Sequence, residues 1–222
     1  GDLAGSKIRI ESFQNGPVVL KNGQTFALDT AMNPNAGDKN GVSVSYPDLG
    51  KDVETGDFLL LDDGQIVLRV EVASKTKVRC SVVEGGVLSE HKGLNKQGGG
   101  LSAPVLTRKD RADIEAAAAL GLDFLAVSFV REATDIEKAR SLLEAAGGRA
   151  DIVAKIERAE AVENIESIID ASDIIMVARG DLAVEVGYAA MTSLQKRLIH
   201  LTRSRNKISI TATPVSYTHL RA

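Results

Sequence analysis

Two apolar runs of this chain each end in a carboxylate. The first run is Asp151-Ile-Val-Ala-Lys-Ile-Glu157, and the second is Asp173-Ile-Ile-Met-Val-Ala-Arg-Gly-Asp181. Each begins as a continuous apolar segment, which is typical of a strand that is buried on both faces in a parallel sheet. Each becomes polar at its carboxyl end, where enzymes built on parallel α/β sheets keep their catalytic groups.

The spacing of these polar residues predicts metal-assisted chemistry. Lys155 and Glu157 are two residues apart, so their side chains point to the same side of a strand. Glu157 and Asp181 on neighbouring strands could hold one hard divalent cation, because Mg²⁺ typically takes one or two protein carboxylates and completes its shell with water and substrate oxygens. The alternative is that both carboxylates are solvated strand ends and that Lys155 is an ordinary ion-paired lysine.

Composition excludes several classes of protein. The 222 residues are 44% hydrophobic, and 27 basic residues nearly balance 30 acidic ones, for a formal charge of −3. The sequence has no cluster of Lys and Arg of the kind that binds nucleic acid, so we expect no nucleic-acid partner. No apolar run approaches the roughly 20 residues of a membrane span, and no signal peptide is apparent. The single Cys80 excludes an internal disulfide and favours a reducing cytosol, so we expect a cytoplasmic location.

The first part of the chain has the pattern of a small all-β module. From about residue 13 to residue 91, short apolar runs alternate with turns rich in Gly, Asp and Asn. Phe58–Leu61 and Ile66–Leu68 flank Asp62-Asp-Gly64, which predicts a hairpin. Gly98-Gly-Gly100 has no strand before it and no Lys-Ser/Thr after it, so we interpret it as a flexible hinge rather than a phosphate-binding loop.

From Leu106 the pattern changes to alternating strands and helices. Thr107 followed by Asp110, and Thr134 followed by Glu137, predict capping boxes that open two helices. The strands that alternate with helices imply βαβ units and a parallel sheet. Four such strands and one at the N-terminus are too few for a complete eight-stranded barrel. Because the chain starts without Met and residues 214–222 have no helical or strand period, we expect a fragment with a non-native tail.

Five motifs occur in order along the chain and resemble one family. They are Gly5-Ser-Lys-Ile-Arg9, Lys92-Gly-Leu-Asn95, Leu125-Ala-Val-Ser-Phe-Val130, Ala154-Lys-Ile-Glu157 with Ala159-Glu-Ala-Val162, and the most specific, Ala171-Ser-Asp-Ile-Ile-Met-Val-Ala-Arg-Gly-Asp-Leu182. Together they resemble the pyruvate kinases. The resemblance implies a partial (β/α)₈ barrel with an inserted all-β lid domain. It divides the chain into a barrel strand (1–10), the lid (11–93), barrel βα units (94–213) and the tail (214–222).

The resemblance also implies an activity, the transfer of phosphate from phosphoenolpyruvate to ADP to give pyruvate and ATP. Glu157 and Asp181 would hold the Mg²⁺ or Mn²⁺ ion, and Lys155 would neutralise the moving phosphoryl group. Thr213 matches the threonine tied to protonation of the enolate, and Ser128 lies at a matching active-site position. The parent protein would be a homotetramer, with no nucleic-acid or membrane partner.

The remaining matched positions concern the substrate and a monovalent cation. Arg179, Gly180 and Asp181 open a helical turn whose N–H groups can take the substrate carboxylate. Arg9 matches another active-site position. Lys7 stands where many relatives have Glu and need a monovalent cation, which suggests that K⁺ is not required.

Two other functions stay open at this point. One is a carbon–carbon lyase that handles a metal-bound pyruvate enolate, although the inserted lid and the order of the motifs argue against it. The other is a non-catalytic fragment that at most binds Mg²⁺ and a small carboxylate. We expect the polypeptide by itself to have little or no kinase activity.

Overall fold

The computed structural model describes residues 1–212 and divides into two compact units. Among the described residues, the first unit comprises Gly1–Ser6 and the chain from Pro104 to Ala212, and the second comprises Lys7–Ala103. The first boundary therefore falls earlier than predicted, and the second falls later. Thr213 and the predicted tail (214–222) lie outside the described residues.

Both units are built from strands and helices that are joined by turns and loops. The strands are β1 (Asp2–Leu3), β2 (Val18–Leu20), β3 (Thr25–Asp29), β4 (Gly41–Ser43), β5 (Phe58–Leu61), β6 (Ile66–Ala73), β7 (Lys77–Glu84), β8 (Gly86–Leu88), β9 (Leu94–Lys96), β10 (Phe124–Val127), β11 (Asp151–Ile156), β12 (Ile174–Ala178) and β13 (Ile208–Ala212). The helices are α1 (Leu49–Asp52), α2 (Arg108–Leu120), α3 (Ala133–Ala145), α4 (Ala159–Glu163), α5 (Ile165–Ala171), α6 (Arg179–Val186) and α7 (Tyr188–Ser204).

The first unit is built on a five-stranded parallel sheet in the order β1-β10-β11-β12-β13. Spatial order follows chain order, and helices connect each strand from β10 onward to the next. A sheet that winds in one direction in this way is the arrangement of a (β/α)₈ barrel, whereas a doubly wound sheet reverses its order at a switch point. The sheet therefore confirms the predicted partial barrel.

Alternation along the strands separates two apolar layers in this unit. Ile152, Ala154 and Ile156 of β11 belong to the larger core, which also contains buried side chains of the helices. Val153 faces the other way and packs with Ala126 and Ile174. One layer thus holds the helices against the sheet, and the other lines the face that would become the barrel interior.

Two helix starts test the predicted capping boxes. The first prediction is confirmed, because Thr107 caps α2 and exchanges hydrogen bonds with Asp110. The second is wrong, because α3 is capped by Glu132 and not by Thr134. Asp135 is the acid that reaches back, with its Oδ2 accepting the Glu132 N–H at 3.2 Å. The capping box of α3 is therefore formed by Glu132 and Asp135, two residues closer to the N-terminus than the predicted pair Thr134 and Glu137.

The second unit is mainly β, with a six-stranded sheet (β4-β3-β7-β6-β5-β9) and a two-stranded ribbon (β2-β8). The predicted hairpin is confirmed, since β5 and β6 pair antiparallel around Asp62, Asp63 and Gly64, which all have positive φ. The four-residue α1 is an addition to the expected all-β module. No described helix of either unit is long and apolar enough to cross a bilayer.

The triple-glycine segment is a turn inside the second unit. Gly98, Gly99 and Gly100 all have positive φ, a conformation that glycine adopts without strain. On one side, Lys96 Nζ donates to the Asp52 carbonyl at 3.0 Å, and on the other the Ser102 N–H donates to Asp52 Oδ2 at 2.7 Å. The unit boundary falls after Ala103, beyond the glycines that we expected to form the hinge.

Asp173 ties the amino ends of β11 and β12 together and provides a test of this packing. Its Oδ2 accepts from the Ile152 N–H and from the Arg140 guanidinium, each at 2.8 Å. Partial burial would raise the pKa of Asp173, but these two donors hold the pKa below its ordinary value. Its stabilising effect is therefore present above the unfolded pKa of about 3.9 and is lost as pH falls through the folded pKa.

We expect Asp173→Asn to lower the free energy of unfolding by about 1 kcal/mol at neutral pH, since a charge-assisted hydrogen bond is weakened at a half-exposed position. The deficit should shrink as pH falls below the folded pKa. Urea unfolding followed by circular dichroism at several pH values measures this difference. The same change at the exposed Asp170 is the control, and an equal deficit there would contradict the assignment.

Candidate active site

Lys155 is the centre of a polar cluster at the carboxyl ends of β10 and β11. Its Nζ donates to Ser128 Oγ at 2.8 Å and lies 3.2 Å from Glu157 Oε1 and 3.3 Å from Asp2 Oδ1. Burial alone would lower the pKa of Lys155, but the Glu157 and Asp2 carboxylates raise the pKa above its ordinary value. The side chain is therefore a fixed ammonium ion with three oxygen neighbours from three segments of the chain.

Glu157 is buried next to this ammonium, with only 3% of its side chain exposed. Its Oε2 accepts the Phe129 N–H at 2.8 Å. Burial raises the pKa of Glu157, and the negative charge of Asp181 raises it further, although Lys155 and the Phe129 N–H act in the opposite direction. A buried carboxylate with a raised pKa and a second carboxylate nearby is a place where a bound cation would be stabilising.

The backbone that holds Glu157 is itself unusual. Phe129 has a φ of 57°, which is rare for a residue with a side chain and is often found at functional sites. Its ring packs against Gly5, where a Cβ would lie 2.9 Å from Phe129 Cδ2. Gly5 also has a positive φ and donates its N–H to the buried Asp110. The glycine is needed there because a larger residue would push against the segment that binds Glu157.

Asp181 lies in the first turn of α6, which begins at Arg179 directly after the last residue of β12. The carboxyl end of β12 thus runs straight into the helix, with Gly180 between Arg179 and Asp181. Within residues 1–212, no group of three or more His, Cys, Asp or Glu side chains is placed to hold a metal ion. The candidate donors are therefore the two carboxylates, a hard-oxygen set that suits Mg²⁺ or Mn²⁺.

The structure brings most of the predicted site residues of the first unit together. Lys155, Ser128 and Glu157 are in direct contact, and Asp181 is near enough to affect the pKa of Glu157. Lys7 and Arg9 belong to the second unit, where Arg9 Nη1 donates to the His91 carbonyl at 2.8 Å. Their roles stay predictions, as does that of Thr213, which lies outside the described residues.

Two residues of the cluster were missed by the sequence analysis. Asp2 contacts Lys155 but lies in β1, a strand of only two residues, so no periodicity marks it. Phe129 acts through its backbone N–H, which residue type does not reveal. The one available signal for Asp2 was its place at the end of an N-terminal strand parallel to the others.

Comparison with known proteins gives one consistent result. The sequence profile of a family described as pyruvate kinase, barrel domain, matches residues 1–217. The chain is 50% identical over 216 residues to a pyruvate kinase of Haemophilus influenzae and to pyruvate kinase II of Salmonella typhimurium, and in each case the match covers 96% of this chain and 45% of the relative. A pyruvate kinase of Corynebacterium glutamicum is 41% identical over 212 residues, which are 96% of this chain and 44% of the relative.

The same holds for solved structures. The crystal structure of a pyruvate kinase from Cryptosporidium parvum matches with a TM-score of 0.89 and 33% sequence identity, over 96% of this chain and 45% of that one. The chain therefore spans slightly less than half the length of the relatives that it matches. The matched profile, the sequence identity and the shared barrel strands show that the chain belongs to the pyruvate kinase family.

Proposed function

We propose that this chain supplies the metal-binding and phosphoryl-stabilising part of the active site of a pyruvate kinase. The reaction is the transfer of a phosphoryl group from phosphoenolpyruvate to ADP, which gives pyruvate and ATP in glycolysis. The observation that carries the proposal is the contact of Lys155 with Glu157 and Ser128, next to Asp181. The relatives reported above are all named pyruvate kinase, and no observation favours the carbon–carbon lyase.

Lys155 is suited to stabilise negative charge on the transferring group. Phosphoryl transfer depends mainly on positioning and on electrostatic stabilisation, because the protein has little covalent chemistry to do. The raised pKa of Lys155 keeps its ammonium protonated, and Ser128, Glu157 and Asp2 fix its position before substrate arrives. A preorganised cation of this kind needs no reorganisation during the reaction.

Glu157 and Asp181 are the residues that would hold Mg²⁺ or Mn²⁺. When bound, such an ion would neutralise charge on the enol and phosphoryl oxygens of the substrate. The Phe129 N–H orients Glu157, and the junction of β12 with α6 places Asp181. The first turn of α6, from Arg179 to Asp181, lies at the positive end of the helix dipole, so its backbone N–H groups are suited to receive the substrate carboxylate.

The remaining features of the proposal rest on the resemblance of the chain to the pyruvate kinase family. Thr213 would take part in protonation of the enolate, and Arg9 would contribute to the substrate site. Lys7 would replace the monovalent cation, so K⁺ would not be required. A cytoplasmic homotetramer is the corresponding proposal for the parent protein.

Binding of metal and a substrate mimic gives the first test. We expect the unfolding midpoint of the chain to rise when Mg²⁺ and oxalate, a mimic of the pyruvate enolate, are added, because a ligand of the folded state alone stabilises it by mass action. Glu157→Gln should abolish the rise. Differential scanning calorimetry measures it, and the exposed Glu163→Gln is the matched control. A rise that survives in Glu157→Gln would contradict the metal assignment.

The raised pKa of Glu157 predicts a pH dependence without metal. Its folded pKa lies above the unfolded value of about 4.3, so its favourable contribution is complete below that pH and is lost as pH rises through the folded pKa. The stability of Glu157→Gln, which does not titrate at this position, should therefore rise relative to that of the parent chain as pH increases from about 4.3 through the folded pKa. Urea unfolding checks the trend, and Glu163→Gln should show none.

Activity of the 222-residue chain is the third test. We expect little or no pyruvate from phosphoenolpyruvate and ADP, because the chain spans 45% of its relatives. Any residual rate should disappear in Lys155→Met, which keeps the bulk of the side chain but removes its charge. A lactate dehydrogenase-coupled assay, with the Haemophilus influenzae relative as the positive control, measures both. Robust turnover that persists in Lys155→Met would overturn the role of this lysine.

A further inference from the structure

A buried ion pair beside the candidate metal ligands has no part in the chemistry described above. Arg158 Nε lies 3.0 Å from Glu185 Oε1, and the two side chains are only 7% and 1% exposed. Arg158 follows β11, and Glu185 lies in α6. The pair therefore joins the carboxyl end of one strand to the helix that follows the next strand.

Further contacts make this connection rigid. Glu185 Oε2 accepts the Ala159 N–H at 2.9 Å, so both oxygens of the carboxylate hold the same short segment. Arg158 Nη2 donates to Glu160 Oε1 at 3.0 Å, which fixes the other side of the guanidinium. The planar fork of arginine is well suited to bind two carboxylates in a fixed geometry.

The two ends of this connection are next to the two candidate metal ligands. Glu157 immediately precedes Arg158 in the chain. Asp181 is four residues before Glu185 on α6, so the two lie one turn apart on the same side of the helix. The Arg158–Glu185 pair thus links the segment that carries Glu157 to the helix that carries Asp181.

Stability alone is a poor explanation for such a pair. Removing two charges from water is costly, and replacing a buried ion pair by apolar side chains of similar size is often neutral or stabilising. The apolar residues Leu182 and Ala183 already pack α6 into the core. The hydrogen bond from the Ala159 N–H to Glu185 adds what apolar packing lacks, namely a directional contact between the two backbone segments.

We propose that Arg158 and Glu185 are positioning residues that set the spacing of Glu157 and Asp181 for one divalent cation. This inference rests on the proposed function, because it concerns the same metal site. Neither residue touches the substrate or the metal; each acts through the segment that carries a ligand. Loss of the pair should weaken metal binding without a matching loss of folding.

The test uses the double variant Arg158→Met with Glu185→Leu in the full 222-residue chain. Because both charges are removed together, we expect an unfolding midpoint equal to or above that of the parent chain. The Kd for Mn²⁺ should increase about tenfold or more, as is typical when supporting residues around a metal site are lost. Electron paramagnetic resonance of free Mn²⁺ measures the Kd, and calorimetry measures the midpoint.

A second variant and a matched control keep the result interpretable. Glu185→Asp keeps the charge but shortens the side chain, so it should fold and still bind Mn²⁺ more weakly than the parent chain. Asp173→Asn weakens the Arg140–Asp173 pair at the opposite end of the same strands. This control should lower the midpoint and leave the Kd for Mn²⁺ unchanged.

The outcomes separate this inference from the proposed function. Equal Mn²⁺ affinity in the parent chain, the double variant and Glu185→Asp would overturn the positioning role while the metal site stands. If Asp173→Asn weakens Mn²⁺ binding by the same factor as the double variant, the positioning role is also overturned, because the loss of affinity would then follow from lower stability. If the parent chain binds no Mn²⁺, or if the Glu157→Gln variant binds Mn²⁺ as tightly as the parent chain does, the proposed metal site is overturned and this inference with it.

Discussion

The ion pair between Lys155 and Glu157 is the interaction on which the rest of the site depends. Both groups lie on one face at the end of β11, and neither is stable there in charged form without its neighbours. Ser128 and Asp2 surround the ammonium, while the Phe129 N–H supports the carboxylate. Three segments of the chain must therefore meet at this point, and the parallel sheet is what brings them there.

A sheet that winds in one direction makes this convergence simple. Each strand from β10 to β12 ends at the same edge, and the segment after it turns back as a helix. Residues immediately beyond the strand ends then become neighbours although they are far apart in the chain. Asp2 and Lys155, which are separated by 153 positions, meet in this way. The convergence has a cost in the backbone, because Phe129 is held at a positive φ that is unfavourable for a residue with a side chain.

The sequence predicted best those features that depend on strands of several residues. Period two related Lys155 to Glu157, and the long apolar run before Asp181 marked β12, so the core of the site and the barrel sheet were predictable. Asp2 was missed because its strand is too short to show a period. The start of α3 was misplaced because Asp135, two residues before the expected Glu137, makes the capping contact with Glu132.

Features that depend on tertiary packing could not be predicted from the sequence. The triple-glycine turn has the composition of a hinge, but Lys96 and Ser102 anchor its two sides to Asp52. Equally, residue type gives no sign that a backbone N–H will bind a buried glutamate, or that Gly5 must leave room for Phe129. Local preference predicts elements well, whereas contacts between distant elements decide which of them carries a given role.

The direct passage from β12 into α6 has a consequence for how the length of this chain can vary. Ala178 ends the strand and Arg179 begins the helix, so no loop residue separates them. One residue inserted there would rotate every following position of α6 by about 100° around the helix axis. Asp181 and Glu185 would turn away together, while the apolar side of the helix would leave the core. Substitutions can be absorbed at this junction, but insertions and deletions should be confined to loops elsewhere in the chain.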